Sequence, residues 1–410
     1  MKRVMILAFS LFLILDGLAG LADSAEKEAK KGPIKIGSIW DFTGTVAEDA
    51  RRCSLGLKMV IDEVNAAGGL FGRRLEVIFR DSKQQAGVGA REARDLIYDS
   101  KVDFLAGNNN SGVALAISEV AKEAKLIYIN GGAKTRQITE GKGHRYVFSP
   151  GANSRTCAGG QAYVHAREPH TKYALMCGDY AFGHDYAEDF EQVLKKLNPK
   201  AEIVGKLWPK FGEKDFTSYI TLLMSLNPDL IFSAVWGGDL VTFIKQAKPY
   251  GLFQKTALSC TGTQSVLDAL GKDMPEGIYF NLEYHFMYPG NISQAFGKKY
   301  YNYTGIYADG MSYNGWICAT TLIEGIKKAG KTETEAVIKA LEEMSLMTPV
   351  GVKTTIRGCD HQGNVCNISG KTKFVPEYPN VAVLGDFVYP DPTKLMISCD
   401  EVKRVREAAK

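Results

Sequence analysis

The chain has 410 residues, 45% of them hydrophobic and 23% charged, with a formal net charge of +4. That length and composition fit two or three compact units of an ordinary globular protein. So small a charge argues against a basic face for nucleic acid or an anionic membrane.

Met1-Lys2-Arg3 is a short basic start, and Val4 to Leu15 is almost wholly apolar. Gly17, Ala19, Gly20 and Ala22 then supply small residues. This is the layout of a secretory signal peptide, residues 1–22, cut after Ala22. The apolar run is roughly a dozen residues, short of the ~20 a spanning helix needs. The mature protein is therefore expected to be exported, soluble and periplasmic.

After a charged linker the pattern becomes regular. Strands are expected at 34–40, 75–81, 102–107 and 126–130, with helices at 51–66, 90–99 and 112–124 between them. The alternation resumes with strands at 173–179, 201–208, 228–236, 256–260 and 277–284. Helices at 183–196, 215–226 and 239–249 separate the first four of these. Strands alternating with helices of this length imply parallel sheets covered on both faces, so two such runs imply two α/β lobes. Helices are expected at 290–303, 308–329 and 333–344, and the last 60 residues read as less regular.

"GIKKAGKT" (325–332) fits the phosphate-loop pattern G-x-x-x-x-G-K-[ST]. Such a loop must leave a strand and open a helix. Here Gly325 lies inside the last turns of a helix, and Gly330 is placed to end it. Thr332 and Glu335 then read as a capping box for the next helix. The stretch is a joint between helices, not a nucleotide site.

Eight cysteines in an exported chain imply some pairing. Cys359, Cys366 and Cys399 share the C-terminal region, where at least one bridge is expected. Cys359, His361 and Cys366 resemble a partial metal site, but no fourth ligand is evident.

"IKIGSIWDFTG" followed by "GLKMVIDEVNAAGGLFGRRLEVIFRDSKQQ" resembles the start of a type I periplasmic solute-binding protein. "GDYAFG" (178–183) and "EKDFTSYITLLMSLNPDLIFSAVWGGD" (213–239) are similar to later blocks of the same family. The specific relatives are the branched-chain amino acid and amide (Leu/Ile/Val-binding-like) receptors of ABC importers. The resemblance implies two Rossmann-like α/β lobes with parallel sheets, joined by a three-segment hinge. Residues 33–150 plus 283–360 would form lobe 1, and 151–282 plus 361–410 lobe 2. It also implies a function: extracytoplasmic capture of a small carboxylate-bearing ligand, such as an amino acid, aromatic acid or amide. The partners implied are that ligand and an importer permease. The protein is expected to be a monomer, with no cofactor, metal or catalytic residue.

Candidate ligand residues follow from the matched loops. In "GNNNSG" (107–112) the backbone N–H groups and Asn109, Asn110 and Ser111 would grip a carboxylate at a helix start. Helix capping by Asn110 or Ser111 is the alternative. In "NGGAKT" (130–135) Gly132 and Ala133 would approach the ligand closely. Phe182 and Trp236 would supply aromatic walls, core packing being Trp236's other reading. Trp40 would also suit a flat apolar ligand body. Where amino-acid receptors of the family carry a glutamate for the ammonium, this chain offers Thr261, Gly262 and Thr263, and Asp49 or Asp239 would have to substitute. The ligand is therefore as readily a carboxylate or amide without an α-ammonium. Two other classes remain open: a receptor passing its solute to a separate membrane sensor, and an amidase-like enzyme built on Cys177, His184 and Asp179.

Overall fold

Near-continuous burial along residues 34–40, both faces covered, sets the first strand of this computed structural model, which describes residues 32–409; the signal-peptide segment lies outside them. The chain runs β1 (Ile34–Trp40), α1 (Ala47–Ala66), β2 (Leu75–Asp81), α2 (Ala86–Tyr98), β3 (Phe104–Gly107), α3 (Ser111–Ala124), β4 (Tyr128–Asn130) and β5 (Val147–Phe148). These strands pair in parallel in the order β2-β1-β3-β4-β5. Successive side chains point to opposite faces. Phe104 and Ala106 pack with Leu57 and Ile61 of α1 on one side. Leu105 packs with Leu96 of α2 and Ile117 of α3 on the other.

The second run comprises α4 (Ser154–His165), β6 (Lys172–Cys177), α5 (Ala181–Leu197), β7 (Glu202–Leu207), α6 (Thr217–Leu226), β8 (Leu230–Ala234), α7 (Gly237–Ala247), α8 (Leu252–Lys255), β9 (Ala257–Thr261), α9 (Gln264–Leu270) and β10 (Tyr279–Leu282). Then come α10 (Asn291–Thr304), α11 (Gly310–Ala329), α12 (Thr334–Leu341), a small hairpin β11 (Ser345–Met347) and β12 (Lys353–Thr355), β13 (Ile368–Lys373), β14 (Val383–Val388) and α13 (Cys399–Ala408). The second sheet has the order β14-β13-β10-β9-β8-β6-β7. Its β7-β6-β8-β9-β10 part is parallel and repeats the order of the first sheet, while β13 and β14 add antiparallel. In both sheets the order reverses beside the first strand of the run, between β1 and β3 and between β6 and β8. In open α/β sheets ligands bind beyond the carboxyl ends of the strands at such a reversal.

The chain passes between the sheets three times, after β5, after β10 and before β13. Side-chain amides tie these crossings together. Gln362 donates to the carbonyls of Ser149 (3.1 Å) and Gly151, and accepts from Thr139 (3.1 Å). Asn367 donates to Asn281 (3.1 Å), which donates in turn to Ser369 (3.2 Å).

Several expectations are corrected. The helix α4 is missing from the sequence reading because Gly159 and Gly160 interrupt it and it is buried nearly all round, so no apolar stripe marks it. The last 60 residues contain β12 of the small hairpin, two antiparallel strands of the second sheet and a helix. The joint at 325–332 is a helix end, with Gly330 at φ 69° as its cap. The capping box is not there: α12 begins one turn residue later, with Glu333 as N-cap and no side-chain cap bond. Glu335 pairs with Arg145 instead.

The C-terminal bridge joins Cys359 to Cys399, 40 residues apart, and Cys366 is a free buried thiol. This fixes α13, whose Arg406 also donates to the carbonyls of Thr139 (2.7 Å), Glu140 (3.2 Å) and Cys359 (3.1 Å). Cys399→Ser is expected to lower unfolding stability by about 2–4 kcal/mol, from the lost loop constraint. Urea denaturation should show the same loss when the wild type is reduced, and no further loss when the variant is reduced.

Candidate functional site

The carboxyl ends of β1, β2 and β3 gather Asp41, Ser82 and Asn108. Ser82 Oγ donates to Asp41 Oδ1. Asn108, at φ 74°, accepts from Asn110 N–H at 2.8 Å. Asn110 Oδ1 accepts from Gly112 N–H (3.0 Å) and Val113 N–H (3.2 Å), so it is the N-cap of α3. Ser111 Oγ accepts from Thr135 N–H at 3.2 Å. Asn109 donates to Cys53 Sγ at 3.1 Å beneath Met311. The polar loop singled out in the sequence is thus largely occupied by its own backbone and neighbours. Ala133 is buried, bonded through its backbone to Asn130. Gly132 lies against Asn109 and Asn314, with no room for a Cβ. Trp40 is fully buried beneath Gly107, whose φ of 112° lets the backbone pass over the indole, so it forms floor and not wall.

The carboxyl ends of β6 and β8 are aromatic. Trp236 Nε1 donates to the Tyr180 hydroxyl at 2.7 Å. Tyr180 lies 5.6 Å from Phe182 and 5.3 Å from Phe211, and Phe211 lies 6.1 Å from Trp236, between ring centroids. Gly178, Pro209, Lys210 and Asp239 complete a narrow recess with Tyr180, Phe211 and Trp236. The sequence reading found Phe182 and Trp236 but missed Tyr180 and Phe211. Tyr180 stands within "GDYAFG", where its place directly after a strand was the available signal.

These two sets of strand ends face each other and touch. Thr45 O accepts from Gly238 N–H at 3.2 Å. Val46 inserts into the cluster containing Phe182 and Trp236. Gly237 (φ 59°) permits this approach, since a Cβ there would lie 2.9 Å from Val46 Cγ1. At one edge Asp49 accepts from Ser265 Oγ at 2.6 Å, and Arg52 donates to Asp268 at 2.7 Å. A surface recess of about 450 Å³ opens there. At the other edge Thr135 donates to Asp185, Arg136 to Asp189 (2.7 Å) and Arg155 to Glu140 (2.6 Å). Thr261 ends β9 with its hydroxyl buried and unpartnered; Thr263 and Ser265 are the residues that reach Asp49. Asp239 accepts from Gly212 N–H at 2.7 Å and so faces away from Asp49's edge.

Between the two edges lies a charge pair absent from the sequence reading. Lys134 of the loop after β4 contacts Glu283, the residue just past β10. Both are buried, and Asn314 of α11 donates to Glu283 at 3.0 Å. A lone lysine in "NGGAKT" and a glutamate ending an apolar strand were the signals available.

The Cys177, His184 and Asp179 grouping does not make a nucleophile. Burial pushes the Cys177 thiol up to about 12, while His184 pairs with Asp179 (2.9 Å) on the surface and stacks on Trp208. Cys359 is bridged, which dissolves the Cys359–His361–Cys366 grouping.

A family model described as "Periplasmic binding protein" matches residues 33–370. "Leu/Ile/Val-binding protein homolog 7" of Brucella melitensis is 25% identical, over 87% of this chain and 94% of that one. A solved ABC-type branched-chain amino acid transporter protein from Rhodopseudomonas palustris is 27% identical, with a TM-score of 0.72 over 89% of this chain and 99% of its own. An R. palustris solute-binding protein solved with benzoate shares the fold at 22% identity and a TM-score of 0.77, over 88% of this chain and 97% of its own.

Burial holds the Asp49 carboxyl up at about 7, against the Ser265 hydrogen bond and with the Asp309 charge adding to the rise. An unfolded aspartate titrates near 3.9. Between those values the folded state binds more protons, so this group's contribution is complete below about pH 4 and is lost as pH rises to about 7. Asp49→Asn should therefore gain stability relative to wild type from about pH 4 to 7 and level off above. Melting curves across that range test it; a constant difference would contradict it.

Proposed function

This chain belongs to the periplasmic binding protein family, and we propose that it encloses a small carboxylate-bearing solute with an apolar body between its lobes. It then delivers that solute to the permease of an ABC importer. The observation that carries this reading is the apposition of the two strand-order reversals, one lined by polar loops and the other by aromatic rings. Tyr180, Phe182, Phe211 and Trp236 would cover a flat or branched apolar body, while the polar ends come from the first lobe. The benzoate held by the R. palustris neighbour and the amino-acid names of other relatives both fall within this solute class.

The lobes, 33–150 plus 283–360 and 151–282 plus 361–410, move as units about the three crossings and close by forming the edge contacts. Export by the N-terminal signal places this activity in the periplasm. The protein works as a monomer and catalyses no reaction, in keeping with a Cys177 thiol buried away from any base.

A thermal-shift titration tests the reading: benzoate, 3-phenylpropanoate, leucine and phenylacetamide should include at least one that raises the melting temperature in a saturable way. No shift with any carboxylate or amide would refute it. Closure should also depend on the edge contacts. Arg52→Ala and Asp268→Ala should each weaken affinity by roughly 3–30-fold, chiefly through faster release, and the two losses should not add. Stopped-flow release rates measure this directly.

A further inference from the structure

We infer that Lys134 is the specificity-determining residue of the solute site, and that it selects acids lacking an α-ammonium. The inference rests on the solute-capture reading above and narrows its substrate class.

Lys134 and Glu283 stand just past the carboxyl ends of parallel strands, β4 of one sheet and β10 of the other. The pair therefore lies where the strand ends of the two sheets meet, with both residues in the segments assigned to the first lobe. The lysine side chain is 8% exposed and the glutamate 4%. Burial pulls the Lys134 pKa down, but the Glu283 charge more than offsets this, so the ammonium stays charged. Glu283 has its second partner in Asn314 at 3.0 Å. Both contacts fall on the same oxygen, Oε1.

The other carboxylates at the gap each have a protein partner, while the second oxygens of Asp41 and Asp189 are buried without a hydrogen bond. Asp49 holds Ser265, Asp185 holds Thr135, and Asp189 holds Arg136. Asp309 caps α11 and lies 3.6 Å from Arg52. A ligand ammonium enclosed here would meet the like charge of the buried Lys134, and taking over the Glu283 oxygen that the lysine holds would displace it. The displaced lysine would then be a buried cation without a partner, which is strongly unfavourable.

An acid meets the opposite situation. An ammonium has three donors. Among the described residues, that of Lys134 has no acceptor besides Glu283. The Lys134 ammonium faces the backbone of Gly151, where a Cβ would lie 3.9 Å from Nζ. A carboxylate at this point accepts the spare lysine donors close to the N-terminus of α3, whose dipole favours negative charge. The lysine then lies between two anions and screens one from the other. Since Asn110 and Ser111 are already hydrogen-bonded within the protein, Lys134 supplies the charge-assisted contact that the loop 107–112 does not.

The test compares matched solutes that differ only by the α-ammonium: 3-phenylpropanoate against phenylalanine, and 4-methylpentanoate against leucine. Calorimetry on the wild-type protein should give at least about tenfold tighter binding of the acid in each pair it binds. The double variant Lys134→Met/Glu283→Gln removes both charges together, so neither is left buried alone. It should bind the acids more weakly and bring the ratio towards one. Equal or tighter binding of the amino acids by the wild type would overturn the inference, as would an unchanged ratio in the double variant. The wild-type ratio decides the matter even if the double variant fails to fold. Absence of binding for acids, amino acids and amides alike would instead overturn the solute-capture reading on which this one stands.

Discussion

A charged group taken out of water must find a partner, and this requirement governs how the two halves of the molecule meet. The carboxyl ends of both parallel sheets face the same gap, so closing it desolvates Asp49, Asp185, Asp189, Glu283 and Arg52 together. Asp49, Asp185, Asp189 and Arg52 have partners on the opposite side, Ser265, Thr135, Arg136 and Asp268, and Glu283 pairs with Lys134 beside them. Buried pairs of this kind contribute little net stability but tolerate almost no misplacement, since losing one partner strands the other. The closed arrangement is therefore specified in register even though its polar contacts add little to the total free energy.

The two sides of the gap have different chemistry for a reason rooted in their strands. The first sheet ends in short loops rich in Asn, Ser and Gly, which fold back on themselves through side-chain–backbone bonds. The second ends in Tyr180 and Trp236, whose mutual hydrogen bond fixes two rings at one reversal of strand order. Val46 reaching into that aromatic cluster shows how little space separates the halves, and why glycine suits position 237, where φ is positive and a Cβ would lie 2.9 Å from Val46. A polar rim and an apolar wall on separate bodies allow a solute to be gripped at both ends only when the bodies close.

The hinge side is held by amides instead of charges. Gln362 and Asn367 bridge the crossings with neutral hydrogen bonds, and the Cys359–Cys399 bridge with Arg406 anchors the last helix beside them. Neutral bonds among crossing strands permit small changes in backbone torsion without exposing an unpaired charge. Rotation about such a region is compatible with the ionic contacts at the edges forming and breaking as a set.

Local pattern made most of the architecture legible. Apolar alternation and helical periodicity mark β1 to β4 and β6 to β10 with helices α1 to α3 and α5 to α7, because each presents one face or a short run to a core, whereas the short α8 and α9 carry too few turns to show a period. Helix α4 escaped because burial on nearly all sides leaves no periodicity, and β13 and β14 because Gly with Lys in the first, and Gly with Asp in the second, interrupt their apolar runs. Phe182 and Trp236 could be placed near the gap from their positions after strands; whether Asn110 gripped a ligand or capped a helix could not, since both uses need the same residue at the same helix start. The sequence by itself determined two α/β lobes and the loops that face each other. Only the tertiary structure decided which side chains are left to meet a solute, because Lys134 and Glu283 are 149 positions apart in the chain and acquire meaning solely by desolvating one another.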